Sequence, residues 1–333
     1  MQNQPTAGKA LTAEQRDQLE ADYTYQRLYE LALEPVRGNF DAAHLKEINR
    51  RIFQDLPGAG FDDVTPGEFR QPVPEGKDWM KSRGLSTVDG TFYVAYSRMD
   101  EAAQARLDKA LESAKPADLR GLKTAEFTAR LAGIYAELDY VHPFSDGNSR
   151  SLRTFTKQLA NESGYELDWA RFGRSPAGRD LLYIARDRSV NELAKPHVQH
   201  EQTMRKIIHT QDRLDGNRAL PDLLRDAVRP SRAVAFERMT EADALQEHPD
   251  LKEAFKTLHA ASAYFESKMP GKPEAQKAGM QSVIGHVQAS LNAGETRDFS
   301  QGREAEKKER AAGQTERPAP GVVLPAPGAD RER

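Results

Sequence analysis

Residues 142–153 read His142-Pro-Phe-Ser-Asp-Gly-Asn-Ser-Arg-Ser-Leu-Arg153, and this stretch decides how the rest of the chain is interpreted. It begins as a polar loop with one glycine and runs into the next apolar-periodic segment. Segments 124–140 and 150–163, on either side of the loop, carry apolar residues three and four positions apart. This spacing predicts two amphipathic helices joined by the loop, and it favours a helical core.

The position of the loop, directly before a helix, is suited to an anion. The first backbone N–H groups of a helix have no partner within it, and the helix dipole favours negative charge there. Gly147 allows the backbone to approach a ligand closely. Arg150 and Arg153 are three residues apart, so they share one helix face and can contact phosphate oxygens. Together these residues predict a phosphate-binding nest.

Two further side chains in the stretch supply chemistry. Asp146 offers a hard oxygen ligand, which suits Mg²⁺ when phosphates complete its coordination. His142 has an ordinary pKa near neutrality and can accept a proton from a hydroxyl group. Each feature alone is more typical of a capped turn or a solvated helix face. Their order within twelve residues favours a site for phosphoryl or nucleotidyl transfer.

The stretch resembles the motif of the Fic (filamentation induced by cAMP) family, His-x-Phe-x-(Asp/Glu)-Gly-Asn-Gly-Arg-x-x-Arg. Ser149 departs from it, because the family has glycine there. Segments 45–55 and 158–169 also resemble stretches around the family motif, and the resemblance extends over about residues 12–210. The matching residues are His142, Phe144, Asp146, Gly147, Asn148, Arg150 and Arg153.

The resemblance implies a mainly α fold, with a Fic-type helical core at 12–210 and a small β-hairpin flap. A hairpin predicted at 88–96, where an Asp-Gly turn precedes a β-branched and aromatic run, fits that flap. We expect a helical appendage of unknown role at 211–295. Residues 1–11 and 296–333 are expected to be disordered, because they are polar and the latter are rich in charge and proline.

The activity implied by the resemblance is transfer of AMP from ATP, with Mg²⁺, to a Tyr, Thr or Ser hydroxyl of a target protein. By that resemblance His142 is the general base, Phe144 is a buried anchor of the loop, and Asp146 holds Mg²⁺. The implied phosphate-binding groups are the backbone of Gly147, Asn148 and Ser149, and the side chains of Arg150 and, for the γ-phosphate, Arg153.

The flap is implied to pair with an extended target segment through its backbone and so to place the target hydroxyl before His142. The residues of the flap expected to do this are Thr91, Phe92, Tyr93 and Val94. Ordinary packing within the hairpin is an equally good interpretation of its aromatic side chains.

Ser149 leaves two alternatives to AMP transfer open. In a branch of the family with lysine at this position, phosphate is transferred instead; serine is smaller and uncharged, so AMP transfer is expected to survive. The other alternative is a catalytically weak Fic-like module that acts through binding of a partner protein or DNA by its C-terminal helices.

The sequence contains no full match to the inhibitory pattern (Ser/Thr)-x-x-x-Glu-(Gly/Asn) that many family members carry. The nearest segment, Ser262–Ser267 with Glu266, ends in serine and continues an apolar helix face. We therefore expect either a separate small antitoxin with a Ser-x-x-x-Glu helix or no inhibition of this type. The first arrangement is that of a bacterial toxin.

Composition limits the remaining classes of function. The 333 residues include no cysteine, which excludes disulfides, zinc–thiolate sites and cysteine nucleophiles. A net charge of -3 argues against general nucleic-acid binding by the core, and leaves the C-terminal region undecided. No apolar run is long enough to span a membrane, and the N-terminus lacks a hydrophobic signal segment. We expect a bacterial cytoplasmic protein without a membrane partner, and export without a cleavable signal stays open.

Overall fold

The computed structural model describes residues 12–292 and is mainly helical, as predicted. The segments expected to be disordered, 1–11 and 296–333, lie outside the described residues. The helices up to residue 194 are α1 (Ala13–Leu33), α2 (Ala42–Phe53), α3 (Glu101–Glu112), α4 (Pro116–Leu119), α5 (Thr124–Val141), α6 (Asn148–Glu162) and α7 (Pro176–Ala194). The later helices are α8 (Glu201–Arg213), α9 (Leu220–Arg225), α10 (Arg232–Arg238), α11 (Glu241–Glu247), α12 (Lys252–Lys268) and α13 (Pro273–Asn292).

Four short strands form two antiparallel pairs. The first pair is the predicted hairpin, in which β1 (Trp79–Gly84) pairs with β2 (Thr91–Tyr96). The hairpin begins earlier than the predicted range 88–96, because β1 lies wholly before residue 88. Its side chains are only partly buried, so it lacks the apolar alternation by which a strand is recognised. The second pair joins β3 (Tyr165–Leu167) to β4 (Val228–Pro230).

Helix α5 lies at the centre of the first part of the chain. It packs against α3, α6, α7 and α9, and so it is buried on more than one face. Its apolar residues, spaced by three and four, are almost fully buried: Phe127, Leu131, Ile134 and Leu138. Burial of each such side chain stabilises the fold by roughly 1.5–3 kcal/mol. The loop of residues 142–147 follows the C-terminal end of this buried helix.

The chain divides into two compact units, one ending at Val234 and the other beginning at Ala235. The first unit continues beyond residue 210, where the sequence placed the end of the core, because α9 packs on α5 and β4 pairs with β3. In the second unit α12 packs against α13, and the ring of Phe236 lies 5.1 Å from that of Phe255. Within residues 12–292, none of the helices combines the length and the apolar character that a membrane crossing needs.

One buried polar atom in α5 gives a test of this packing. The Tyr135 side chain is fully buried, and its hydroxyl has no hydrogen-bond partner among the described residues. An unsatisfied buried hydroxyl costs free energy, so Tyr135→Phe is expected to raise the free energy of unfolding by about 1 kcal/mol. Urea unfolding of both proteins at pH 7 measures this. A loss of stability in Tyr135→Phe would show that the hydroxyl is satisfied, for example by a buried water molecule.

Candidate active site

His142 lies at the C-terminal end of α5, where the backbone turns into the left-handed region with a φ of 51°. Its N–H still donates to the Leu138 carbonyl at 3.0 Å, so the helical hydrogen bonding reaches this residue. The Arg70 guanidinium donates to the carbonyl oxygens of Val141 and His142, at 3.2 and 2.8 Å. Arg70 therefore provides hydrogen bonds to carbonyl groups at the C-terminal end of α5. The left-handed backbone of His142 is strained, and strained residues are common at functional sites.

The hairpin covers the imidazole of His142. The ring of Tyr96 in β2 lies 3.9 Å from the imidazole, and the ring of Trp79 in β1 approaches it edge-on at 5.3 Å. As a result, His142 is only 5% exposed. Burial lowers the pKa of His142 to about 4, although the Asp139 carboxylate raises it. The imidazole is therefore neutral at pH 7.

The surroundings of the ring determine which nitrogen carries the proton. The Nδ1 atom faces two acceptors of Asp139, the backbone carbonyl at 3.3 Å and the carboxylate Oδ1 at 3.6 Å. The Nε2 atom faces the ammonium Nζ of Lys81 at 3.4 Å. Because carbonyl and carboxylate oxygens only accept while an ammonium only donates, the proton belongs on Nδ1. Nε2 then carries the lone pair, which faces the Lys81 ammonium here and can accept a proton once another donor takes the place of that ammonium.

Asp139 is held in place by Arg186 of α7. The Arg186 Nε donates to Oδ2 at 3.0 Å, and Nη2 donates to Oδ1 at 2.9 Å. Both side chains are almost completely buried. Burial raises the pKa of Asp139, but the charge of Arg186 and the contact with the His142 side chain lower it to about 2. The carboxylate beside Nδ1 is thus ionised at pH 7.

The side chain of Asn148 fixes the shape of the loop. Its Oδ1 accepts from the Phe144 N–H at 2.9 Å, and its Nδ2 donates to the Phe144 carbonyl at 2.7 Å. The ring of Phe144 is 1% exposed and packs 5.4 Å from that of Phe69. The predicted burial of Phe144 thus matches its position in the structure.

The first turn of α6 presents unpaired donors. Gly147 has a φ of 71° and precedes the helix, and its own N–H donates to Asp146 Oδ1 at 2.6 Å. The N–H groups of Asn148 and Ser149 have no acceptor among residues 12–292. Ser149 Oγ accepts from Arg186 Nη1 at 3.4 Å. The structure thus brings the predicted nest residues together.

The two motif arginines differ in their surroundings. Arg150 forms an ion pair with Glu20 of α1, and its Nη1 donates to Thr24 Oγ1 at 3.0 Å. Arg153 makes one hydrogen bond, from Nε to the Ser149 carbonyl at 3.1 Å, and has no ion pair in the described part of the chain. Burial lowers the pKa of Arg153. A partly buried cation without a carboxylate partner is suited to an anionic ligand.

Asp146 is the candidate Mg²⁺ ligand. It is exposed, and its Oδ2 has no hydrogen bond with any residue the structure describes. Nowhere in 12–292 do three His, Asp or Glu side chains group in a way that would hold a metal by themselves. A single carboxylate fits Mg²⁺, which commonly takes one or two carboxylates together with phosphates and water.

The predicted flap residues lie in β2, where Phe92 and Val94 are buried and Thr91 is exposed. The outer edge of β2 is covered by side chains of other helices. The Tyr93 N–H donates to Thr210 Oγ1 of α8 at 2.9 Å, and the Tyr93 carbonyl accepts from Asn191 Nδ2 of α7 at 2.9 Å. No described element makes a hydrogen bond to the outer backbone edge of β1. The open edge of the hairpin is therefore that of β1.

Residues 39–160 match the model of the Fic/DOC family. The chain contains a Fic domain. Over 165 residues it is 31% identical to the protein adenylyltransferase VbhT of Bartonella schoenbuchensis, and the match covers 49% of this chain and 30% of VbhT. It is 29% identical over 127 residues to a probable protein adenylyltransferase Fic of Escherichia coli, a match that covers 38% of this chain and 52% of that relative. The chain thus spans about half or less of these relatives.

Among solved structures, the Fic domain is similar to the BepC protein of Bartonella tribocorum with bound AMPPNP. The sequence identity is 17% and the TM-score is 0.43, over 66% of this chain and 89% of that one. A second similar structure is the N-terminal Fic domain of a Bep effector from Bartonella quintana with bound ADP. It is 22% identical with a TM-score of 0.40, over 66% of this chain and 87% of that one.

Sequence reasoning missed four residues that shape the Fic domain's site: Arg70, Lys81, Asp139 and Arg186. Only Asp139 carried a local signal, as a carboxylate on the apolar face of a helix one turn before the histidine. The other three come from distant segments without a recognisable motif.

Gly147→Ala tests the close approach at the start of α6. A Cβ at Gly147 would overlap the ring of Phe53, and the positive φ adds strain. We expect a loss of roughly 2–4 kcal/mol in the free energy of unfolding, from the left-handed backbone and the overlap together. Gly60→Ala is the matched control, because Gly60 also has a positive φ but nothing within 4 Å of its Cβ position. Equal losses in the two variants would argue against the overlap.

The lowered pKa of His142 predicts a pH-dependent stability. The folded pKa of about 4 lies below the ordinary value of 6.5, so the unfolded chain binds the proton first as the pH falls. This contribution is complete above pH 6.5 and is lost progressively towards pH 4; at pH 5 the loss is about 2 kcal/mol. His142→Gln removes it. Urea unfolding of both proteins at pH 7.5 and pH 5 measures the difference, and the same pH dependence in both would contradict the buried neutral imidazole.

Proposed function

We propose that this Fic domain transfers AMP from ATP to a hydroxyl group of a target protein. The observation that carries the proposal is the arrangement within one loop and its following helix. A neutral imidazole with its lone pair on Nε2 precedes an N-terminal nest beside Arg153, a partly buried cation without a carboxylate partner in the described part of the chain. The names of the relatives, which are protein adenylyltransferases, support the same activity.

In the proposed reaction, the oxygen of the target hydroxyl attacks the α-phosphorus of ATP. A new P–O bond forms to the target, the bond between the α-phosphorus and the bridging oxygen breaks, and pyrophosphate leaves. His142 Nε2 accepts the hydroxyl proton, and the Asp139 carboxylate faces the imidazolium that results. The free N–H groups of Asn148 and Ser149 and the Arg153 guanidinium stabilise negative charge on the phosphates.

Arg150 was expected on the phosphates, but its guanidinium is engaged by Glu20 and Thr24 in this structure. We therefore assign the main cationic contact with the nucleotide to Arg153. Asp146 would hold Mg²⁺, which supplies charge neutralisation on the phosphate oxygens when bound.

For the target protein, we propose docking of an extended segment along the outer edge of β1 rather than along β2. The backbone of β2 already has partners on both sides, whereas β1 presents its outer edge. Main-chain hydrogen bonds along β1 would fix the register of the segment without reading its side chains. Lys81 of β1 lies opposite Nε2, so the incoming hydroxyl takes the place of its ammonium.

We further propose that the protein is a bacterial toxin or regulator that acts in the cytosol, where ATP is available. A small antitoxin with a Ser-x-x-x-Glu helix is the proposed partner in the toxin arrangement. Phosphate transfer, the alternative raised by Ser149, is distinguished by which phosphorus of ATP reaches the target.

ATP labelled at the α-phosphorus is expected to label a protein in a bacterial lysate, whereas ATP labelled at the γ-phosphorus is not. Mass spectrometry of the labelled protein is expected to show about +329 Da for AMP, against about +80 Da for phosphate. His142→Ala should lower labelling roughly 10²–10⁴-fold because the proton acceptor is lost. His209→Ala, at an exposed position on α8, is the control and should label normally. Absence of α-label with the wild-type protein, or equal labelling by His142→Ala, would contradict the proposal.

A further inference from the structure

A continuous chain of polar contacts joins the proposed base to the nucleotide nest. It runs from His142 Nδ1 to the Asp139 carboxylate at 3.6 Å, then to the Arg186 guanidinium at 2.8–3.0 Å, and then to Ser149 Oγ at 3.4 Å. Arg186 belongs to α7 and lies outside residues 39–160, which the family model matches. The family match therefore assigns it no role.

Burial of the ion pair between Asp139 and Arg186, at the centre of these contacts, costs free energy. The side chains of Asp139 and Arg186 are 1% and 2% exposed. The free-energy cost of removing two charges from water offsets much of their attraction. Such a pair therefore adds little net stability compared with apolar residues of the same size. The position of this ion pair beside the His142 imidazole favours a role in the site rather than in stability.

Arg186 fixes which atoms of Asp139 face His142. A guanidinium can only donate, and Arg186 donates to both carboxylate oxygens. Oδ1 is the oxygen that faces Nδ1, and as a carboxylate oxygen it can only accept. The Asp139 backbone carbonyl at 3.3 Å is a second acceptor and the rival explanation for the position of the proton.

Ser149 connects the pair to the nest. Because Arg186 donates to Ser149 Oγ, the serine hydroxyl keeps its own proton for a further acceptor. The neighbouring N–H groups of Asn148 and Ser149 are the donors of the nest. Serine in place of the motif glycine thus adds a donor that is oriented by the same guanidinium that holds Asp139.

We propose that Asp139 and Arg186 are positioning residues that keep the proton of His142 on Nδ1, and that Ser149 donates a hydrogen bond to a nucleotide phosphate. The catalytic part of this inference rests on the proposed function. The position of the proton does not, since it is a property of the free protein.

Asp139→Asn tests the proposal with almost no change in shape. Arg186 has only donors, so the amide oxygen of the substituted side chain remains on Arg186 and its NH₂ group faces Nδ1 of His142. A donor there moves the proton of His142 to Nε2, which can then no longer accept one. We expect kcat for AMP transfer to fall roughly 10²-fold or more, with KM for ATP changed less than about twofold.

NMR of the full chain with ¹⁵N-labelled histidine at pH 7 reads the proton position directly. The chain has eight histidines, and His142→Gln identifies the signal. The wild-type protein is expected to show the Nδ1–H form and Asp139→Asn the Nε2–H form. If Asp139→Asn keeps the Nδ1–H form, the backbone carbonyl is sufficient and the proposal is overturned.

Asp187→Asn is the matched control, because Asp187 is the next residue of α7, is itself buried and forms an ion pair with the partly buried Arg83. It should lower Tm and leave the His142 signal in the Nδ1–H form. If Asp139→Asn does not fold, Asp139→Leu with Arg186→Met removes both buried charges together, and the fraction of His142 in the Nδ1–H form is expected to fall because only the backbone carbonyl is left as an acceptor. Retention of Nδ1–H in that double variant overturns the proposal as well.

Ser149→Ala tests the proposed hydrogen bond from the Ser149 hydroxyl to a nucleotide phosphate. Loss of one hydrogen bond to phosphate is expected to raise KM for ATP roughly three- to tenfold, with the His142 signal unchanged. An unchanged KM would remove Ser149 from the proposal. Should the wild-type protein transfer no AMP at all, the proposed function fails, while the NMR spectra still decide the role of Asp139 and Arg186.

Discussion

The two hydrogen bonds between the Asn148 side chain and the Phe144 backbone hold the loop on which the site depends. Each contributes about 1 kcal/mol net, but both are buried, so loss of either partner would leave polar groups unsatisfied. In this loop the chain leaves α5, buries the Phe144 ring and enters α6. With these ends fixed, the strained turn at His142 and the open N–H groups of α6 occupy constant positions relative to one another.

The charges around this loop are arranged asymmetrically. Asp139 and Arg186 neutralise each other beside the imidazole, whereas Arg153 has no anionic partner in the described part of the chain. A partly buried positive charge without an anionic partner is unfavourable in the free protein. An anion bound in the nest would remove that cost, so the structure is complementary to a polyanionic ligand although the net charge of the chain is -3.

The sequence predicted those parts of the molecule that depend on local spacing. The apolar periodicity of α5 and α6 located both helices, and the motif located the loop between them. Contacts between distant segments could not be predicted in this way. Arg150 and Arg153 are identical residues on one helix face, and only the fold shows that Glu20, 130 positions earlier, engages the first of them. Strand β1 was missed because its side chains are only partly buried and so carry no apolar alternation.

The ion pair between Arg150 and Glu20 also makes α1 part of the energetics of the site. A guanidinium engaged by a carboxylate and by Thr24 is less free to turn to a phosphate than an unpaired one. The ion pair with α1 and a phosphate contact therefore compete for the side chain of Arg150. By reciprocity, a ligand that recruits Arg150 loosens α1 by the same free energy by which α1 weakens that ligand. In this sense α1 competes with a ligand for one residue of the site.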